Sequence, residues 1–232
     1  MSDSYEAKAA VLAAKENCDL PVLVTLIFDE KGKLLTGGTV DSTVAMLEGL
    51  RVDALGVNCG LGPKQMHPII ERLTQVSSLP IIVNPNAGLP RSENGKTVFD
   101  IAPAEFSDLM EEIAGMGVQA LGGCCGTTPE HLRLTIEKCR KVPFRPPVAK
   151  RRTVVSSFSQ AVEIGPKPVI IGERINPTGK SKFKAALREN NIEYILGEGM
   201  AQEDSGAHIL DVNVGLPEID EPVMMERVVT RL

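Results

Sequence analysis

Val118-Gln119-Ala120-Leu121-Gly122-Gly123-Cys124-Cys125-Gly126-Thr127-Thr128-Pro129 runs from a short apolar segment, through a glycine-rich turn carrying two adjacent cysteines, into the start of a helix. Thr127 or Thr128 can accept from the free N–H groups of the first helical turn, and Pro129 suits the first position, where its missing N–H has no intrahelical partner to lose. Leu132, Leu134 and Ile136 continue as the apolar side of that helix. Strand, turn and helix in this order form one β/α unit, and reactive residue types in the turn lie where such proteins place their chemistry.

The same unit recurs upstream. Residues 4 to 17 read as a helix, with Ala9, Leu12 and Ala13 at helical spacing. Leu20 to Phe28 is continuously apolar and reads as a strand buried on both faces. Asp41 or Ser42 caps a helix through Met46, Leu47 and Leu50, and Ala54 to Cys59 follows as a second strand. Pro63 opens a helix with Met66, Ile69, Ile70 and Leu73; Pro80 to Asn84 is the third strand, ending in Pro85-Asn86-Ala87-Gly88. After a polar loop, Pro103 begins a helix through Phe106, Leu109, Met110 and Ile113, which Gly115 and Gly117 break before the fourth strand. A β/α unit roughly every 30 to 35 residues implies a parallel sheet with crossover helices, either a barrel or an open doubly wound sheet. Functional residue types at the carboxyl ends of strands two, three and four favour the barrel.

From Lys141 the texture changes. Pro143, Pro146, Pro147 and the triplet Lys150-Arg151-Arg152 read as a linker over 143–167, with one short strand in Val154 to Phe158. Pro168 to Gly172 starts a new strand running into Glu173-Arg174-Ile175-Asn176-Pro177-Thr178-Gly179. Helices near 181–190 and 194–206, a strand over 207–215 and a helix from Pro222 follow. The expected organisation is therefore a first domain over 1–142, the linker, and a second domain over 168–232.

A chain of 232 residues, 43% of them hydrophobic, has ample material for a core. Its net charge of −5 is spread along the sequence, so neither nucleic acid nor an anionic membrane is an expected partner. No apolar run reaches the ~18 to 20 residues a membrane span needs, and Met1 to Glu6 lacks the layout of a signal peptide, so the expected location is cytoplasmic. Five cysteines, an odd count, fit reduced thiols or metal binding better than a disulfide framework.

Cys59, Cys124 and Cys125 stand at strand ends, and Cys59 comes from a strand two places away from the Cys-Cys strand, on the same rim. Gly122, Gly123 and Gly126 leave the backbone free to bring both adjacent sulfurs to one ion. Three thiolates suit zinc with one exchangeable position, a site that takes a further thiol and holds it as thiolate. Cys18 and Cys139, near helix ends, read as small hydrophobes. His67 and His131 within helices and His208 at a strand start read as surface or internally satisfied histidines.

Gly56-Val57-Asn58-Cys59, Pro85-Asn86-Ala87-Gly88 and Gly122 to Pro129 resemble the homocysteine methyltransferase domain, a zinc-dependent TIM barrel. Ile171 to Gly179 with Asp211-Val212-Asn213 is similar to the start of a pterin-binding methyltetrahydrofolate domain, and the two in this order resemble the cobalamin-dependent methionine synthase family. The resemblance implies that Cys59, Cys124 and Cys125 hold zinc, that homocysteine takes the fourth position as thiolate, and that Asn86 occupies that position when substrate is absent. It implies methylcobalamin and methyltetrahydrofolate as the methyl carriers, a cobalamin-binding domain or protein as partner, and Glu173, Asn176, Asp211 and Asn213 at the pterin end of the second barrel. The fold it implies is α/β, the C-terminal half of one (β/α)8 barrel followed by the first two β/α units of a second. The expectation is then a fragment that binds zinc but turns over poorly alone, with open sheet edges that favour self-association or an upstream half-barrel. A methyl donor of the betaine or methylsulfonium type, a non-catalytic zinc-binding or self-associating half-barrel, and one eight-stranded barrel stitched from both halves are the alternatives; the first leaves Gly172 to Gly179 without a purpose.

Overall fold

Each apolar run that ends in asparagine, glycine or cysteine becomes a strand, and the amphipathic segments between them return the chain along one side of the resulting sheet. The computed structural model describes residues 1–232 and divides into two compact units, Met1–Ala161 and Val162–Leu232. The division falls within residues 143–167, past the prolines at 143, 146 and 147.

In the first unit, α1 (Ser4–Asn17) begins where the Asp3 carboxylate accepts the Glu6 N–H at 2.7 Å. There follow β1 (Leu23–Leu26), α2 (Val40–Gly49), β2 (Ala54–Asn58), α3 (Pro63–Val76), β3 (Ile81–Asn84), the hairpin β4 (Arg91–Glu93) and β5 (Lys96–Val98), α4 (Pro103–Gly115), β6 (Ala120–Leu121) and α5 (Pro129–Cys139). β1, β2, β3 and β6 form one parallel sheet in that order. Residues in register share a face. The rows Val24, Leu55, Ile81 and Leu26, Val57, Val83 are buried with Leu47, Met66, Ile70, Leu73, Phe106 and Met110 of the helices. The alternate rows carry Leu23, 60% exposed, the half-buried Thr25, Ile82, Asn58 and Asn84, and the exposed Ala120. Gly56 stands on that second face, and a Cβ there would lie 1.8 Å from the Ile82 carbonyl oxygen, so only glycine permits β2 and β3 to approach so closely.

The first strand departs from expectation. It is four residues long rather than nine, and only Val24 and Leu26 are buried, because helices cover one face of this sheet and not both. α5 also differs: its buried residues are His131 and Thr135, whereas Leu132 is 37% and Ile136 53% exposed. The helix packs on α4 through the polar pair, and its aliphatic pair faces away. α2 is capped by Thr39, not by Asp41 or Ser42; Ser42 instead completes a reciprocal box with Thr39. Cys18 is exposed rather than packed, while Cys139 does pack against the core.

Residues 145–159 are tied down at several points. The Arg145 carbonyl accepts from Gln119 Nε2 at 2.8 Å, the Lys150 N–H donates to Ser78 Oγ at 3.0 Å, and the Ser159 carbonyl accepts the Thr39 N–H at 3.3 Å. Asp41 receives Arg72 in a two-pronged bond of 2.6 and 2.8 Å and Arg152 at 3.4 Å. Burial pushes the Asp41 carboxyl up, but the two guanidinium groups outweigh it and hold it below the usual carboxylate range.

The short strands β7 (Thr153–Ser156) and β8 (Ala161–Ile164) follow. The second unit contains β9 (Ile171–Ile175), α6 (Ser181–Arg188), α7 (Ile192–Asp204), β10 (Ile209–Val212) and α8 (Glu221–Arg231). β9 and β10 pair in parallel with a register shift between Leu210 and Val212. β9 begins three residues later than the apolar run, so Glu173 and Arg174 lie within the strand rather than beyond it. Ile175, Phe183, Leu187, Ile195, Val214 and Val228 make the center of its core. No helix in either unit is long and apolar enough to cross a membrane.

Candidate metal centre

Cys59 follows β2 and takes a left-handed φ of +57°, a conformation that costs a residue with a Cβ of order 1 kcal/mol. Gly60 continues with φ +73°, and the Leu61 N–H closes back on the Cys59 carbonyl at 2.8 Å. The tight reversal leaves the Cys59 side chain at the rim instead of committing it to a sheet face. Cys124 and Cys125 follow β6, two strands away in the sheet, as expected. Gly126 ends their turn with φ +81°, and Phe99 lies where a Cβ on Gly126 would be, 2.4 Å away, so glycine is required twice over.

The three Sγ atoms lie within 4.8 Å of one another. Cys59 and Cys125 sulfurs are 3.7 Å apart, and those of Cys124 and Cys125 are 3.9 Å apart. Tetrahedral thiolates at the usual zinc–sulfur length have an edge of about 3.8 Å. The donor set and its spacing thus fit a metal ion of that kind. Among His, Cys, Asp and Glu side chains this is the cluster that offers three donors.

Burial pushes the Cys59 thiol up, but the Gly60 N–H, the neighbouring sulfurs and the Asn86 side chain outweigh it and hold the thiol below the ordinary cysteine value. Cys124 goes the other way: burial, joined by the neighbouring Cys59, pushes it up to about 11. Charge on the Cys59 sulfur therefore holds back ionisation of Cys124, and a cation among the sulfurs would favour the thiolate form of both.

The spacing among these loops is fixed by the segment Pro85-Asn86-Ala87 after β3, which lies between the two cysteine turns. The Pro85 carbonyl accepts the Cys124 N–H at 2.8 Å, the Asn86 N–H donates to the Leu61 carbonyl at 3.0 Å, and the Ala87 N–H donates to the Cys125 carbonyl at 2.9 Å. The Asn86 side-chain oxygen accepts the Cys125 N–H at 3.1 Å, and the residue is 3% exposed. Three strand ends are clasped by one tripeptide. Sequence reading singled out Asn86 for its side chain and missed the clasp, since main-chain bonds of this kind leave no residue signature.

His131 is a satisfied histidine, 5% exposed, with its ring edge-on to Phe106 at 5.3 Å. His67 lies in α3, and His208 Nδ1 accepts the Ile170 N–H at 3.0 Å. In the second unit, Glu173 pairs with Lys180 at 3.4 Å. The Asn176 side chain accepts the Thr178 N–H at 2.9 Å, and the Asn213 side chain accepts the Gly215 N–H at 2.8 Å. β9 and β10 are neighbours, so Glu173, Asn176, Asp211 and Asn213 stand in or just after adjacent parallel strands. The hairpin β4–β5, read from sequence as a polar loop, leads through Phe99 back to the cysteine turn.

The profile of the homocysteine S-methyltransferase family matches residues 1–139. Methionine synthase of Mycobacterium leprae is 32% identical over 225 residues, 91% of this chain and 19% of that protein. Methionine synthase of Mycobacterium tuberculosis is 30% identical over 243 aligned positions, 99% of this chain and 20% of that protein. The chain spans about a fifth of the length of these curated relatives. Among solved structures, the homocysteine methyltransferase MmuM from Escherichia coli in its apo form is 22% identical with a TM-score of 0.49, over 59% of this chain and 47% of that one. Its metallated form is 24% identical with a TM-score of 0.47, over 60% and 42%.

Proposed function

The chain belongs to the homocysteine S-methyltransferase family, and on that premise we propose that it carries the zinc-binding half of a homocysteine S-methyltransferase of the methionine synthase type. The observation that carries the proposal is the meeting of Cys59, Cys124 and Cys125 sulfurs at 3.7 and 3.9 Å on one rim. Zinc bound there supplies a Lewis acid that lowers the pKa of an incoming thiol. Cys59, Cys124 and Cys125 hold the ion and leave one position for the sulfur of homocysteine. Asn86 stands beside the same sulfurs; it keeps the Cys125 turn in place through its side-chain oxygen and, in the proposal, occupies the vacant position until substrate arrives.

The four-stranded parallel sheet with helices on one face corresponds to half of a (β/α)8 barrel, its rows Leu23, Thr25, Ile82 and Ala120 facing the barrel interior. Residues 143–167 act as the connection, and 168–232 begin a pterin-binding barrel in which Glu173, Asn176, Asp211 and Asn213 face methyltetrahydrofolate. Cobalamin, held by a separate domain or protein, would supply the methyl group to the homocysteine thiolate that the three cysteines and their metal would position. The match to methionine synthases over 91 and 99% of the chain, well beyond residue 139, favours this donor over a betaine or methylsulfonium compound.

The test is metal stoichiometry of the purified chain with cobalt as the spectroscopic substitute. One metal per chain, lost in Cys124→Ala, and a change in the cobalt–thiolate spectrum on adding homocysteine are expected. A chain that takes up metal undiminished after Cys124→Ala refutes the site; metal binding with no response to homocysteine refutes the substrate.

A further inference from the structure

The two ring nitrogens of His131 do different work. Nδ1 faces Thr128 at the start of α5: it accepts the Thr128 N–H at 3.2 Å and lies 2.8 Å from Thr128 Oγ1. That is a helix-capping contact three residues away. Nε2 points to the Ile101 carbonyl, 30 residues earlier in the chain, at 3.0 Å. A carbonyl only accepts, so Nε2 carries the proton and Nδ1, in the neutral ring, is left as the acceptor that the Thr128 N–H needs. Helix capping requires the first nitrogen and has no use for the second.

The Nε2 bond closes a ring. From Ile101 the N–H donates to the Ala87 carbonyl at 3.0 Å, and the Ala87 N–H donates to the Cys125 carbonyl at 2.9 Å. From Cys125 the chain runs through Thr128 into α5 and returns to His131. Each link of the ring is a hydrogen bond or a few bonds of main chain, and Cys125 is held on both sides. Phe106 packs on the imidazole in a T-shaped contact with ring centres 5.3 Å apart.

We infer that His131 is a positioning residue for the three-cysteine centre: its Nε2–H braces Ile101, which through Ala87 sets where the Cys125 turn sits. The inference rests on the metal reading above, since it assigns His131 its effect through Cys125. It does not make His131 a ligand.

The two jobs are separable by substitution. In His131→Asn the side-chain oxygen occupies the place of Nδ1 and keeps the cap, while the brace to Ile101 is lost. In His131→Gln the terminal amide reaches the place of Nε2 and restores the brace. With the full chain, zinc affinity by chelator competition, the cobalt–thiolate absorption and, in metal-free protein, hydrogen exchange at the Ala87 and Cys125 amides are the readouts. His131→Asn is expected to weaken zinc about 10-fold, alter the cobalt spectrum and speed Ala87 exchange, with α5 protection unchanged. His131→Gln should lie closer to the wild type in all three. Wild-type affinity and Ala87 exchange in His131→Asn would overturn the inference, as would equal loss in both variants accompanied by loss of α5 protection, which marks a purely structural histidine. If the wild-type chain takes no metal, the proposed function fails, and exchange at Ala87 still decides the brace on its own.

Discussion

Both units set asparagines just beyond the carboxyl ends of parallel strands, yet the asparagines are used differently. In the second unit Asn176 and Asn213 each accept an N–H two residues ahead, so the side-chain oxygen of each shapes its own turn. In the first, Asn86 accepts from Cys125, 39 residues away, and the tripeptide around it binds both cysteine turns. The cores differ in the same sense: 24 buried residues join in the first unit and nine in the second. Contacts of long sequence separation bring reactive groups together, and it takes the larger core to hold the elements that make them.

The comparison breaks most visibly at Phe183, which anchors the smaller core. Phe183→Ala removes a side chain 1% exposed from the nine-residue core and should cost about 3–5 kcal/mol. That is enough to unfold the second unit while the first stays protected, as hydrogen exchange resolved by peptide would show. Loss of protection in both units together would mean that they fold as one.

Next in size is the loss of a ligand. Cys124→Ser should weaken zinc by more than about 100-fold, whereas Asp211→Asn in the second unit should leave zinc affinity unchanged. An equal effect of the two would erase the division of labour between the units. The pH dependence sharpens the same point. Thiols must shed protons to bind metal, so affinity falls as pH falls; with Cys124 held up at about 11, its proton is still being displaced throughout the neutral range. Cys59, whose pKa is lowered, ceases to contribute at a lower pH. Zinc affinity should therefore keep rising with pH across neutrality, by up to about tenfold per unit for each proton displaced; a flat profile from pH 7 to 9 would contradict thiol ligation.

The smallest effect belongs to the segment that crosses the first unit's helices. Asp41 has a depressed folded pKa, so its contribution is present above the unfolded aspartate value of about 3.9 and is lost as pH falls through the lower folded value. Asp41→Asn should cost about 1 kcal/mol at neutral pH, discounted because the Arg72 side chain is nearly half exposed, and should loosen residues 145–152 without touching the second unit. Limited proteolysis at Arg151 would register it.

Much of the architecture was legible because periodicity and caps are local. Pro63, Pro103 and Pro129 each stand at the first position of a helix, and the runs ending at Asn58, Asn84 and Leu121 became adjacent parallel strands. The three cysteines were legible for the same reason, since strand-end positions in neighbouring strands share a rim. What escaped was whatever depends on the partner across space. Leu20 to Phe28 has the composition of a strand covered on both sides, but composition does not say that helices lie on one side alone. Leu132 and Ile136 look like the inner face of α5, yet the helix turns His131 and Thr135 inward because the bonds to Thr128 and Ile101 orient it. The hairpin at Arg91–Val98 carries charged residues on both strands, and its pairing rests on backbone rather than on an apolar pattern.

The clasp formed by Pro85, Asn86 and Ala87 bears on how freely the site can drift. Of the hydrogen bonds it makes to Cys124, Leu61, Cys125 and Ile101, all but the one from Asn86 Oδ1 use main-chain atoms on both sides. Such bonds are indifferent to side-chain chemistry and sensitive only to size and backbone angle. A saturation library over these three positions should accept several small residues at 85 and 87 and very few at 86, so that the memory of the site resides in the path of the chain more than in its letters.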